Sequence, residues 1–131
     1  MIPVADLDGI ANARLEDARA LYDAGRFDGA AYLCGYAVEL ALKARICRAL
    51  AWAEFPNTNS EFRSYQSFKT HDLDVLLHLS GQELSIKQAH FASWNVVVVW
   101  TPESRYNAIG SIQSLDAEAM ILAEEELLAA L

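Results

Sequence analysis

Arg105 and Tyr106 stand together soon after a proline, and their side chains have the chemistry to bind a nucleotide. Arginine presents a planar fork of donors that matches a phosphate or a carboxylate. Tyrosine can stack on a base or donate its hydroxyl. We expect Pro102 to end a helix, so that a short turn aims both side chains inward at one end of a bundle. Alternatively, Arg105 pairs with Glu39, Asp72 or Glu103 and only fixes the turn.

A second polar group interrupts the most apolar stretch of the chain. Glu39 and Lys43 are four residues apart with the acid first, the favourable order for an ion pair on one helix face. Gly35 and Tyr36 lie on the same face one turn earlier, and Tyr32 lies there two turns earlier. The charged pair either fixes the register of a bundle or forms part of a polar ligand pocket.

His71 and Asp72 stand at the start of a short predicted helix. They either cap that helix and brace the loop before it, or supply an imidazole that moves a proton, because histidine titrates near neutrality. The common phosphate-binding, dinucleotide-binding, zinc and serine-hydrolase motifs are absent. We therefore predict no metal and no cofactor.

Composition places these residues in one helical domain. The 131 residues are 53% hydrophobic, with only 6 Gly and 3 Pro, which favours an all-α fold over residues 1–131. The valine-rich segment before Trp100 has no partner strand elsewhere, so we predict a buried helix there. The predicted helices span about 7–24, 27–53, 72–81, 84–100 and 114–131, with a loop over 54–70. Short links favour an up-down four-helix bundle with one extra short helix.

Charge and cysteine usage limit the possible environments and partners. The net charge of −8 argues against binding nucleic acid by general electrostatics, so such a role needs a local basic site or a basic partner. Cys34 and Cys47 are separated by about 20 Å on one helix, which excludes a disulfide between them. We predict a cytoplasmic protein with no signal peptide and no membrane span. The apolar helix over 27–53 predicts a homodimer, because three neighbours leave part of it uncovered.

Four segments in this order resemble the HEPN family, the higher eukaryotes and prokaryotes nucleotide-binding domains. They are GRFDGAAYLCGYAVELALKA, FP, THDLDVLL and W…VVVVWTPESRY, and the resemblance covers about residues 14–131. It implies a bundle of four or five helices, usually dimeric, often encoded beside a minimal nucleotidyltransferase as toxin and antitoxin. Active toxins of the family are metal-independent ribonucleases that carry an arginine and, after four to six residues, a histidine.

The chain departs from that ribonuclease motif. Arg105 stands where the arginine belongs, but Gly110, Ser111 and Ile112 occupy the positions for the histidine. The resemblance thus favours a module that binds a nucleotide, RNA or a nucleotidyltransferase partner without cleaving RNA. Two alternatives stay open. One is a divergent ribonuclease toxin in which Arg105 binds the phosphate and His71, Tyr106 or Glu39 assists, and the other is a purely structural or assembly protein.

Overall fold

The computed structural model describes residues 1–131 and is built almost entirely from helices. The six α-helices are α1 (Val4–Asp23), α2 (Phe27–Leu50), α3 (Leu73–Leu79), α4 (Glu83–Ala89), α5 (Phe91–Val97) and α6 (Ser114–Ala130). Two strands of two residues each, β1 (Ile2–Pro3) and β2 (Glu54–Phe55), pair antiparallel. The predicted all-α fold is confirmed. No helix is both long enough and apolar enough to cross a lipid bilayer.

α2 is the central helix, and this position explains why it is apolar nearly all round. α1 folds back on it through a turn in which Gly25 has a φ of +74°, a conformation that glycine adopts without strain. α6 and α3 cover its other sides. Thirteen residues of α2 are buried, including both cysteines, which are free as predicted.

Side-chain contacts establish the directions of the long elements. α6 runs parallel to α2, because Asp28 contacts Ile112 near one end and Cys34 contacts Glu124 farther along. α5 runs antiparallel to α6, because Ser93 donates a hydrogen bond to Glu126, whereas Val96 lines the cleft together with Ala119 nearer the start of α6. With α1 antiparallel to α2, the order of the bundle is up-down, as the short links predict.

Two predicted segments differ from the structure in detail. The helix expected over 84–100 is divided at His90, whose φ of −133° lies outside the helical range, and its second part already ends at Val97. The loop expected over 54–70 contains β2 and two 3-10 helices, Glu61–Ser64 and Gln66–Phe68. Its aromatic side chains pack around Trp52, whose ring centroid is 4.9 Å from that of Tyr65. This packing makes the segment a structural part of the domain.

Candidate functional site

A cleft of about 710 Å³ opens at the end of the bundle where α2 and α6 begin and α5 ends. A volume of this size is within the range of small-molecule sites. Its lining is mainly apolar, with a few polar side chains. The residues used below are Asp28, Tyr32, Trp100, Ser104, Arg105 and Asp116.

The wall of the cleft depends on close contact between Trp100 and α2. A Cβ atom added to Gly35 would lie 2.1 Å from Cγ of the Trp100 indole, so only glycine admits the ring at this position. The indole also packs against Tyr32, with ring centroids 5.9 Å apart. Trp100 Nε1 and Ser104 Oγ are buried without a hydrogen-bond partner. Polar atoms of this kind normally find a partner, and a polar ligand in the cleft can supply one.

Arg105 lies on the cleft wall with no carboxylate partner. It belongs to a 3-10 helix, Pro102–Tyr106, that starts at the proline. One guanidinium nitrogen donates to the carbonyl oxygen of Pro102 at 3.0 Å, and the guanidinium carbon lies 4.7 Å from the ring centroid of Tyr106. Tyr106 and then Tyr32 raise the pKa of the guanidinium. The cation is therefore held by aromatic and carbonyl groups, which leave it available to an anion.

The predicted inward orientation of this turn is wrong. Arg105 is exposed and Tyr106 is 76% exposed, because the 3-10 helix lies at the surface of the bundle. The alternative in which Arg105 pairs with Glu39, Asp72 or Glu103 is also wrong, since none of these carboxylates forms an ion pair with it.

Asp28 fastens the loop that closes the far side of the cleft. Its two carboxylate oxygens accept from the backbone N–H groups of Gly110 at 2.7 Å and Ile112 at 2.9 Å. These two hydrogen bonds lower the pKa of Asp28. Asp28 thus anchors the segment in which the resemblance would place a ribonuclease histidine.

Glu39, Lys43 and His71 form a second polar centre, farther along α2. Glu39 Oε1 accepts from Lys43 Nζ at 2.6 Å and lies 2.8 Å from His71 Nδ1. The Glu39 side chain is 3% exposed and its second oxygen is buried without a partner, whereas the His71 side chain is 65% exposed. The helical pair predicted from the sequence is present, and it also orients an exposed imidazole.

The structure separates five of the six candidate residues into two groups. Arg105 lines the cleft and Tyr106 lies beside its guanidinium outside the lining, whereas Glu39, Lys43 and His71 belong to the second centre. Asp72 joins neither, because its carboxylate caps α3 by accepting from the N–H groups of Asp74 and Val75. His71 does not contact Arg105, so one chain does not bring these two groups together at a single phosphate.

Three cleft residues were not predicted as site residues. Asp28 and Trp100 give no sequence signal of their own, because their roles depend on contacts between distant segments. The sequence places Tyr32 on the face of Glu39 but gives no indication of its contact with Trp100. No group of three or more His, Cys, Asp or Glu side chains is arranged to hold a metal ion.

A buried acid lies at the interface of α2 and α6, outside the cleft lining and outside the second polar centre. Glu124 is fully buried, and neither of its oxygens has a strong hydrogen-bond partner. Burial raises its pKa to about 8, so the side chain is mostly a neutral carboxylic acid at pH 7. The neighbouring Cys34 thiol has a raised pKa for the same reason and is not a reactive nucleophile.

The fold defines an all-α bundle with an aromatic cleft and one unpaired arginine at its end. The family model of the HEPN domain matches residues 4–60, which comprise α1, α2 and β2. This match supports the resemblance to the HEPN family that the sequence motifs indicate. His71 and Arg105 lie beyond the matched residues. No curated protein and no solved structure matches the chain significantly.

Proposed function

We propose that this chain is a HEPN-type binding module whose cleft takes a nucleotide or the end of an RNA. The observation that carries the proposal is Arg105, an arginine in an aromatic cleft with no carboxylate of its own. Its guanidinium suits a phosphate, and the rings of Tyr32 and Tyr106 suit a base. The guanidinium and the aromatic rings together match the phosphate and the base of a nucleotide.

The acidic character of the chain does not oppose an anion at this place. Of the carboxylates that line the cleft, Asp28 accepts from two backbone amides, and Asp116 accepts from the Gln113 amide at 3.0 Å. Hydrogen bonds of this kind spread the negative charge into the backbone dipoles. The local field at Arg105 is therefore less negative than the net charge of −8 suggests.

We further propose that the module works with a minimal nucleotidyltransferase in a toxin–antitoxin arrangement, and that it is a homodimer. α2 is covered within the chain, so its apolar composition no longer supports dimerisation. Support comes instead from exposed apolar side chains, Val99 and Ile109 in the cleft lining and Leu115 and Leu122 on α6. The free, buried cysteines are in keeping with a cytoplasmic location.

Tryptophan fluorescence tests the binding proposal directly, because Trp100 lines the cleft. Nucleoside monophosphates added to the wild type should change the emission in a saturable way, and Trp100→Phe should remove that change. Co-purification with the product of a neighbouring nucleotidyltransferase gene tests the partner. A wild type whose emission does not respond to any nucleotide would contradict binding in the cleft.

A divergent ribonuclease is the second candidate, and one observation favours it: Glu39 orients the exposed imidazole of His71. Cleavage of total RNA in the presence of a chelator tests this function. Activity that Arg105→Ala and His71→Ala each remove would support it. Intact RNA after prolonged incubation with the wild type would refute the ribonuclease, and the binding module would remain the proposed function.

A further inference from the structure

The second polar centre presents one histidine to solvent in a fixed orientation. Glu39 Oε1 lies 2.8 Å from Nδ1 of His71, and the imidazole itself is mostly exposed. The buried carboxylate is an acceptor, so Nδ1 carries the hydrogen of this bond and the lone pair of the neutral ring is on Nε2. We propose that His71 is a modification site, whose Nε2 accepts a phosphoryl group from a phosphoramidate donor. This site works without any ligand in the cleft.

The proposed transfer forms and breaks the same kind of bond. The lone pair of Nε2 attacks phosphorus and forms a P–N bond, while the P–N bond of the donor breaks and the departing nitrogen keeps its electron pair. With phosphoramidate itself, whose amine is protonated, the leaving group is ammonia. No further proton has to move, and nothing is oxidised or reduced. Histidine is one of the side chains that act as nucleophiles in this way.

Glu39 favours the attack because positive charge develops on the ring as the new bond forms. A hydrogen bond from Nδ1 to a carboxylate becomes stronger when the ring is cationic. The Glu39 side chain is only 3% exposed, so water screens this interaction little. The aspartate of a catalytic triad holds its histidine in the same manner. Glu39 is therefore a positioning residue, and His71 is the group that reacts.

Lys43 makes the centre compatible with the charge of a phosphoryl group. Its ammonium donates to the same oxygen, Glu39 Oε1, at 2.6 Å, so a cation lies two hydrogen bonds away from the imidazole. A phosphoryl group brings about 1.5 to 2 negative charges near neutral pH. Lys43 offsets the repulsion that Glu39 alone would exert on that charge.

The other two histidines of the chain lack this arrangement. His78 is exposed like His71, but its carboxylate partner Glu83, at 3.1 Å, is 40% exposed and also pairs with Lys87. Water therefore screens the charge that could support a reaction at His78. His90 is less exposed, and its Nδ1 is buried without a hydrogen-bond partner. Only His71 combines an exposed ring with a buried carboxylate, so the other two histidines serve as internal controls.

Incubation of the whole protein with phosphoramidate near neutral pH tests the proposal. Mass spectrometry of peptides kept at alkaline pH would give the rate at each histidine, because phosphohistidine hydrolyses in acid. We expect His71 to react about tenfold faster than His78 or His90, the factor that one hydrogen bond to a charged group is worth. Phosphorus NMR identifies the modified nitrogen of His71, which should be Nε2; modification at Nδ1 would contradict the proposal.

Glu39→Gln tests the part played by the buried carboxylate. It should slow the modification of His71 about tenfold and leave the rate at His78 in the same molecule unchanged. The matched control is Glu83→Gln, which removes the exposed carboxylate beside His78 and should leave both rates near those of the wild type. Circular dichroism checks that both variants are folded.

Two results would overturn the inference. Equal rates at His71 and His78 in the wild type would refute a selective acceptor, and this comparison needs no variant. A fast reaction at His71 that Glu39→Gln does not slow would show that exposure alone selects this histidine. Neither result involves the cleft, so the inference can fail while the proposed binding of a nucleotide stands.

Discussion

The indole of Trp100 lies so close to the backbone of Gly35 that no other residue fits at position 35, since an added Cβ would be 2.1 Å from the indole Cγ. Replacing Gly35 by alanine should push Trp100 out of the cleft wall. Overpacking of this kind costs about 1–3 kcal/mol, so the free energy of unfolding should fall by about that amount. Chemical denaturation followed by circular dichroism measures the change.

Gly9→Ala is the control for this substitution. Gly9 also lies inside a long helix, but an added Cβ would meet nothing within 4 Å. Alanine at an open helical position should raise the free energy of unfolding by about 0.5–1 kcal/mol. Equal effects of the two substitutions would show that the contact between Gly35 and Trp100 does not matter for stability.

The buried Glu124 should make the stability of the protein depend on pH between about 4.5 and 8. Its pKa is about 8 in the folded chain and 4.5 as the ordinary value, so the unfolded chain loses this proton first as the pH rises. The stability that the protonated group contributes is complete below pH 4.5 and is lost by about pH 8. Over that window the loss is on the order of a few kcal/mol.

Glu124→Gln should therefore flatten the pH profile of stability and raise the melting temperature at pH 8 relative to the wild type. Glutamine keeps the shape of the protonated acid and does not ionise. Glu118→Gln is the control, because Glu118 is exposed on the same helix. A wild-type profile that is already flat from pH 5 to pH 8 would contradict a raised pKa at Glu124.

Asp28→Asn should release the loop at the far side of the cleft. The two amides of Gly110 and Ile112 bind different oxygens of the carboxylate, and asparagine offers only one acceptor. We expect faster hydrogen exchange at both amides and weaker nucleotide binding. Asp23→Asn, at an exposed position at the end of α1, should change neither.

The lowered pKa of Asp28 makes its hydrogen bonds to the loop depend on pH in the opposite direction to the effect of Glu124. A carboxylate with a lowered pKa stabilises the folded form above the ordinary pKa of aspartate and stops doing so as the pH falls through the lowered value. Exchange at Gly110 and Ile112 should therefore lose its protection only in strongly acidic solution. Protection that is lost already near pH 6 would mean that Asp28 does not hold the loop.

Periodicity and composition predicted the helical bundle well, because long amphipathic and apolar segments determine where helices pack. The division at His90 was not predictable, since it depends on how α4 and α5 pack against different neighbours. The pair of Glu39 and Lys43 followed from a four-residue spacing within one helix. The contact of His71 with that pair, and the separation of His71 from Arg105, depend on how distant segments are arranged, which no local pattern encodes.

The exposed apolar residues of α6 predict self-association. Leu115 and Leu122 are seven residues apart and lie on one face of α6, where both are exposed. Leu115→Asp together with Leu122→Asp should convert a dimer to a monomer in light scattering. Val75→Asp is the control, because Val75 is an exposed apolar residue on α3. A wild type that is monomeric at tens of micromolar would refute the proposed homodimer.

Calorimetric titration of a nucleoside monophosphate into the wild type and Arg105→Ala tests the central claim most directly. The control is Arg63→Ala, because Arg63 is also exposed and has no ion pair, but lies outside the cleft. The cleft account predicts saturable binding to the wild type and to Arg63→Ala, weakened about tenfold or more in Arg105→Ala. Equal affinities for all three proteins, or no binding to any of them, would contradict it.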